Sequence, residues 1–353
     1  MEKEIEKLQE LLKSDPSNFQ ARRELSILLA KNGFNEEALS NLQYLEKYFP
    51  EDSEIQYNLG ILYEKVKDLD KAEKAYIKAI EISPQEDFYY NLGEVLVSQE
   101  KWDEAIDSFQ TVLKTDPQDG NCYFNLGLCY YNKEEKNLAI DCLQKAIKLN
   151  PKDIYAHFYL GNIYQEDDLI NFAVECYKKV LDISPDYSWA YYNLASIAYK
   201  NENFDEAKEY LLKTIEFNKN DIEAFKLLAK LFVKKNDYEE IITILETRLE
   251  EDEIGDLYYI LGQIYKKIGN IENYAKNLKN ALEYKFSLTY PIDTIKKELD
   301  RINENNDIDV EEFSEYSSEE DDEDEDDFSN YDEDEDEDEF SEYNEENDEY
   351  EDV

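Results

Sequence analysis

The sequence of 353 residues predicts an all-α chain of about eight antiparallel helix pairs, flanked by single capping helices and followed by a disordered acidic tail. Three observations predict it. A leucine followed by a small residue recurs at Leu25-Ser26, Leu59-Gly60, Leu92-Gly93, Leu126-Gly127, Leu160-Gly161, Leu194-Ala195, Leu228-Ala229 and Leu261-Gly262, at spacings of 34, 33, 34, 34, 34, 34 and 33. In phase with it, alanine stands 13 residues after the leucine at Ala38, Ala72, Ala105, Ala139, Ala173 and Ala207, and prolines close five units at Pro50, Pro84, Pro117, Pro151 and Pro185. Residues 307–353 hold 29 acids and no base, whereas residues 1–306 hold 58 acids and 38 bases. A fixed period of this length is the size of two short helices with their turns, each pair too small to bury its apolar stripe alone.

Residues 2–13 read as a lone amphipathic helix before Asp15-Pro16, within a capping segment of residues 1–18. The array then runs over 19–286, with repeats starting near 19, 53, 86, 120, 154, 188, 222 and 255. Gly60, Gly93, Gly127 and Ala195 are predicted to let a first helix approach its second helix closely, and Ala72, Ala105 and Ala139 to do the same from the other side. Tyr63, Tyr130 and Tyr164 on first helices, and Tyr76, Phe109 and Tyr177 on second ones, fill the space between pairs. Each proline stops a second helix, because it lacks an amide hydrogen and disfavours helix at the residue before it. Asp70, Asp103 and Asp205 near the start of second helices suit the positive end of the helix dipole. Residues 287–306 form the second cap, with a helix at 292–304 carrying Lys296, Lys297 and Arg301. Acid runs as dense as those of 307–353 cannot bury enough surface to fold.

Leucine, small residue, aromatic, alanine and proline recurring together in phase resemble the tetratricopeptide repeat, over about three-quarters of the chain. The resemblance implies a right-handed α-solenoid whose first helices line a concave ligand surface. The seventh repeat departs from the pattern with Ile241 for alanine and Arg248 at another small position, and the eighth with Tyr274 for alanine. Helix packing is therefore expected to differ there.

On the first helices, the residues not claimed by packing are the candidate peptide-binding set. Asn58, Asn91, Asn125 and Asn193 precede the leucine, and Tyr57, Tyr90, Phe124, Phe158, Tyr192 and Tyr259 stand one residue earlier. An amide side chain offers both donor and acceptor to the backbone of an extended peptide, and an aromatic ring gives apolar contact at low entropy cost. The arrangement resembles the asparagine ladder of peptide-guiding arrays in this family, broken in the fifth repeat by Tyr159; the same pattern is also close to the family's average repeat. The basic and amide set with which other members grip a C-terminal carboxylate is not assembled, since Ile27 stands one turn after Arg23. A second candidate set is Lys226, Lys230 and Lys234, spaced four apart on one helix face, with Lys266 and Lys267 on the next first helix. Like charges at that spacing cost a few tenths of a kcal/mol per pair, roughly, and the acidic tail is the anion nearest in sequence. A solvated lysine face is the plainer alternative. The tail carries Phe313-Ser314-Glu315-Tyr316, Phe328-Ser329-Asn330-Tyr331 and Phe340-Ser341-Glu342-Tyr343, an adhesive F-S-x-Y pattern, and Ser317 and Ser318 resemble acid-directed kinase sites.

The composition excludes several function classes. At a net charge of −49 the chain repels nucleic-acid phosphates and anionic lipid, so protein partners, basic ones above all, are expected, and neither nucleic acid nor membrane. Met1-Glu2-Lys3-Glu4 opens without an apolar leader and no run approaches a spanning helix, which reads as cytoplasmic. Cys122, Cys129, Cys142 and Cys176 sit in apolar helical contexts without a C-x-x-C pair, so neither metal site nor disulfide is expected. His157, the one histidine, falls at a packing position, and no phosphate- or dinucleotide-binding glycine pattern exists, so the chain reads as non-catalytic and without cofactor. Three functions fit: a scaffold or adaptor binding an extended peptide on its first helices with a steering or self-masking tail, an acidic holding chaperone for a basic client, and a targeting subunit of a separate enzyme. Oligomeric state is not legible.

Overall fold

A computed structural model describes residues 2–305, which form eighteen α-helices and, among the described residues, no strand. The lone helix α1 (Glu2–Ser14) precedes eight pairs: α2 (Phe19–Lys31) and α3 (Asn35–Glu46), α4 (Ser53–Lys65) and α5 (Leu69–Ile82), α6 (Glu86–Ser98) and α7 (Trp102–Thr115), α8 (Gly120–Asn132) and α9 (Lys136–Leu149), α10 (Ile154–Glu166) and α11 (Ile170–Ile183), α12 (Ser188–Lys200) and α13 (Phe204–Phe217), α14 (Ile222–Lys235) and α15 (Tyr238–Glu251), and α16 (Gly255–Lys267) and α17 (Ile271–Glu283). A 3₁₀ turn at Lys285–Ser287 leads into α18 (Ile292–Asn305). The described residues divide into two compact units, the first ending at Cys176 and the second beginning at Tyr177.

In the first unit the glycines do what their spacing predicts. A Cβ on Gly60 would stand 2.5 Å from the Tyr76 ring, one on Gly93 2.7 Å from Phe109, and one on Gly127 2.8 Å from Leu143. The rings and the leucine they admit are fully buried, as is the alanine at each crossing, Ala72, Ala105 and Ala139. Second helices α5, α7 and α9 end at Ile82, Thr115 and Leu149, two residues before Pro84, Pro117 and Pro151. First helices α4, α8 and α10 start from aspartates, the Asp52, Asp119 and Asp153 carboxylates accepting from the N–H of Ile55, Cys122 and Ala156 at 3.0–3.1 Å.

Successive pairs are tied by side chains. Gln43, Gln110 and Gln144 of second helices donate to the hydroxyls of Tyr63, Tyr130 and Tyr164 on the next first helix, at 3.1, 3.2 and 3.1 Å. Lys101 pairs with Glu73 at 2.7 Å and Lys133 with Asp103 at 2.6 Å, so Asp103 serves a neighbouring repeat as well as its own helix dipole.

The turn inside each pair carries one residue in the left-handed region: Gly33, Lys67, Glu100, Glu134, Asp168, Glu202, Asn236 and Gly269, with φ of 54–77°. Six of the eight have a side chain, a conformation that costs about 1 kcal/mol outside glycine, and they keep the repeat's own spacing.

The second unit differs in its last two repeats. Ile241 is fully buried where alanine is customary. The buried Arg248 guanidinium donates to the backbone carbonyl of Lys219 at 3.0 Å and to Asn220 Oδ1 at 2.6 Å, so a long cation fills the small-residue position by reaching back to the preceding turn. At Gly262 a Cβ would meet nothing nearer than 3.5 Å, so this glycine admits no close approach, unlike its counterparts in the first unit. Helix α18 completes the eighth repeat. Ile295 and Ile302 are buried, and the Glu298 carboxylate accepts from Tyr274 Oη at 2.7 Å, Gln263 Nε2 at 2.8 Å and Tyr259 Oη at 3.2 Å.

Candidate functional site

In the first unit the first helices α4, α6, α8 and α10 lie side by side and present Tyr57, Asn58, Tyr90, Asn91, Phe124 and Asn125, all half-buried. The asparagines bond within the fold. Asn91 Nδ2 donates to Tyr57 Oη of the preceding repeat at 3.1 Å and approaches Tyr76 Oη at 3.5 Å, and Asn125 Nδ2 donates to Tyr90 Oη at 3.3 Å. Asn58 turns back on its own helix, donating to the Glu54 carbonyl at 2.7 Å. Asn91 and Asn125 thus latch onto the tyrosine of the repeat before them through one amide N–H each, and their carbonyl oxygens take no part in these bonds. Glu298 of α18 meets Tyr259 as the asparagines meet Tyr57 and Tyr90, so α18 stands in for the first helix of a further repeat.

A tyrosine hydroxyl in turn holds an acid on the same face: Tyr76, fully buried, donates to Glu64 Oε2 at 2.9 Å. Burial first, then Asp87, Glu64 and Glu94 together, raise the pKa of Tyr57, while Asn91 opposes the shift. Burial and Glu94 raise that of Tyr90.

In the fifth repeat Phe158 is not available to a ligand. It was expected to offer a surface contact but is only 4 % exposed, its ring 6.1 Å from that of Tyr159. Tyr159, which replaces the asparagine, takes the half-buried position and packs at 6.0 Å from Phe124 and 6.1 Å from Tyr131. Burial pushes its hydroxyl up to about 12. His157 is half-buried, with Nε2 3.2 Å from the Pro151 carbonyl.

In the second unit Tyr192 and Asn193 are half-buried on α12. The lysine stripe of α14 is less bare than its spacing suggests. Lys226 pairs with Glu223 at 2.6 Å and stands 4.9 Å from the Tyr290 ring, and Lys234 lies over Phe204 and Tyr199 at 5.2 and 5.7 Å. Lys230 is half-buried, and Lys266 and Lys267 are exposed at the end of α16. The face of α16 itself is closed. Tyr259 is 5 % exposed with its ring 4.3 Å from Tyr290, and buried Asp256 accepts from the Thr289 N–H at 2.7 Å. The tail of residues 307–353, its F-S-x-Y pattern, Ser317 and Ser318 lie outside the described residues.

All four cysteines are buried and free, and burial raises each thiol pKa, Cys129 to about 12 and Cys176 to about 11. Among the described residues no group of three or more His, Cys, Asp or Glu is placed to hold a metal ion, and no helix is long and apolar enough to cross a membrane.

Comparison with known proteins gives a consistent family. Tetratricopeptide repeat profiles match residues 53–86, 120–153, 142–170, 173–231 and 255–287, and a TPR repeat profile matches 93–134. No curated protein matches the chain. Among solved structures, yeast Tom70 is similar with a TM-score of 0.53 at 16 % identity, over 78 % of this chain and 60 % of that one. MamA from Desulfovibrio magneticus RS-1, residue 41 to the end, is 27 % identical over 48 % of this chain and 97 % of its own, with a TM-score of 0.47. YrrB, described as a TPR protein with an unusual peptide-binding site, is 28 % identical over 52 % of this chain and 95 % of its own, with a TM-score of 0.44. On its repeat period, its paired helices and these matches, the chain belongs to the tetratricopeptide repeat family.

Proposed function

We propose that this chain is a non-catalytic interaction scaffold that binds an extended segment of a partner protein along its first helices. The observation that carries the reading is the row of Tyr57, Tyr90 and Phe124 with Asn91 and Asn125 between them, the two tyrosines and both amides fixed by inter-repeat hydrogen bonds and Phe124 by ring contact with Tyr155 and Tyr159. Groups already held in place lose little entropy on binding, and asparagine carbonyls would accept from the N–H groups of an extended backbone. Asn58 extends the proposed contact on α4, and Tyr192 and Asn193 on α12 form a separate proposed contact of the second unit. The eighth repeat contributes none, because Glu298 and Tyr290 occupy its first-helix face. Lys226, Lys230, Lys234, Lys266 and Lys267 are the proposed contact for an acidic segment, the chain's own tail included. With 29 acids in residues 307–353, a holding role for a basic client is the second reading. Salt separates the two: a tail-driven client is released as salt screens its charges, whereas an apolar and hydrogen-bonded segment is retained.

Photo-crosslinking tests the proposed face. A photoreactive residue in place of Asn121 on α8 is expected to capture the partner, and one in place of exposed Lys74 on α5 is not. Capture from Lys74 alone would overturn the reading.

A further inference from the structure

The first helices of the second and third repeats carry more than amides and rings. Helices α4 and α6 hold five carboxylates, Glu54, Glu64, Glu86, Asp87 and Glu94, against the single base Lys65. Asp87, Tyr90, Asn91 and Glu94 are three, four and seven residues apart and share one stripe of α6, while Tyr57 and Glu64 share the neighbouring stripe of α4. Glu64 is anchored from beneath by the core Tyr76, which donates to it at 2.9 Å, and Glu94 lies one turn after Tyr90 on α6. A carboxylate has about four acceptor sites, so one phenolic hydrogen bond fixes its place and leaves capacity for a further donor. On the next first helices the same face turns aromatic, with Phe124, Tyr131 and Tyr159 in ring contact.

Acids held in place beside half-buried rings suit a cationic side chain, which gains from both charge pairing and the face of an aromatic ring. We propose that the α4–α6 face receives an arginine or lysine of the bound segment, its charged head among Glu64, Asp87 and Glu94 and against the rings of Tyr57 and Tyr90. This rests on the peptide-binding reading above and names the ligand chemistry of its amino-terminal part. The chain's own tail is the wrong occupant here, since its acids meet acids. The polarity reverses on α14 and α16, which carry six lysines and two acids, so a cationic side chain is favoured on α4 and α6 over α14 and α16.

The test uses the full chain and a fluorescent peptide, acetyl-(Arg-Ala)4-amide, beside its neutral citrulline counterpart, at about 0.15 M salt. Replacing Asp87→Asn with Glu94→Gln is expected to weaken the arginine peptide about tenfold, the scale of one lost charge-assisted hydrogen bond. The charge-matched pair Asp334→Asn with Glu335→Gln in the tail is expected to change it less than about twofold. A benzophenone version of the peptide should form adducts on α4 and α6. Equal losses in both pairs, or adducts confined to 307–353, would overturn the proposal. If the citrulline peptide binds α4 and α6 of the unmodified chain as tightly as the arginine peptide, the cation preference fails while the peptide-binding face survives. With no adduct on any first helix, both fail.

Discussion

Two glycines at the same place in the repeat are expected to answer the same substitution with opposite signs. In Gly127→Ala the new Cβ falls 2.8 Å from both Cγ and Cδ2 of Leu143, a fully buried side chain. Cγ is one bond from a Cβ fixed by the backbone, so Leu143 yields only by leaving its rotamer or by moving α9 away from α8. Overpacking of this kind costs about 1–3 kcal/mol, and the better helix propensity of alanine returns about 0.8–1.0 kcal/mol, leaving a net loss near 1 kcal/mol. In Gly262→Ala the nearest atoms are Asn277 Cβ at 3.5 Å, Leu278 Cδ2 at 3.6 Å and Tyr274 Cδ2 at 3.7 Å, ordinary contact distances. Only the propensity gain remains, so this variant should be more stable by about 1 kcal/mol. Ala195 and Ala229 already stand at this place elsewhere in the second unit, both fully buried. Urea unfolding followed by circular dichroism would show the two midpoints moving apart at unchanged slope. Because repeats couple mainly to neighbours, amide exchange should quicken in α8 and α9 for the first variant and slow in α16 and α17 for the second. Two midpoint shifts of the same sign would refute the packing argument.

Glu134→Gly and Glu202→Gly relieve side chains at φ of 59° and should each raise the urea midpoint, by about 1 kcal/mol before glycine's added chain entropy is subtracted; a clear loss would show that these turns are not strained. The four buried cysteines should resist a thiol reagent at neutral pH in the native chain and react together only in denaturant, and fast labelling of any one would contradict its burial. Burial pushes the Asp52 carboxyl up, but the Arg23 guanidinium with the N–H groups of Ile55 and Glu54 outweighs it and leaves the pKa below 3.8. The stability so gained is present above that value and lost as pH falls through the lowered one. Asp52→Asn, which keeps an N-terminal cap, should therefore be less stable at pH 7 and converge with the parent under acid; a constant deficit would refute the ion pair's role.

Much of the paired-helix architecture was legible because its signals are local. A glycine that admits Tyr76 or Phe109, and a proline two residues beyond a helix end, act on contacts within one repeat, so their spacing alone reports the fold. The inter-repeat glutamine–tyrosine bonds had a readable signal too, since Gln110 and Gln144 lie 34 residues apart and each stands 20 residues before its tyrosine. The left-handed turn positions had little, because four of the eight, Lys67, Glu100, Glu134 and Glu202, are residue types that do not favour that conformation.

By itself the sequence determined the period, the pairing of helices and the polarity of the chain, all properties of composition and spacing. Tertiary structure decided which side chains stay open on the first-helix face and which are spent on contacts within the fold. Asn91 and Asn125 meet tyrosines 34 and 35 residues away, Phe158 sinks into the core as Tyr159 rises, and Glu298 reaches across 39 residues to close the last repeat. Each of these outcomes depends on the side chain that a neighbouring helix brings to the contact, and two repeats of nearly the same sequence can differ in that neighbour alone.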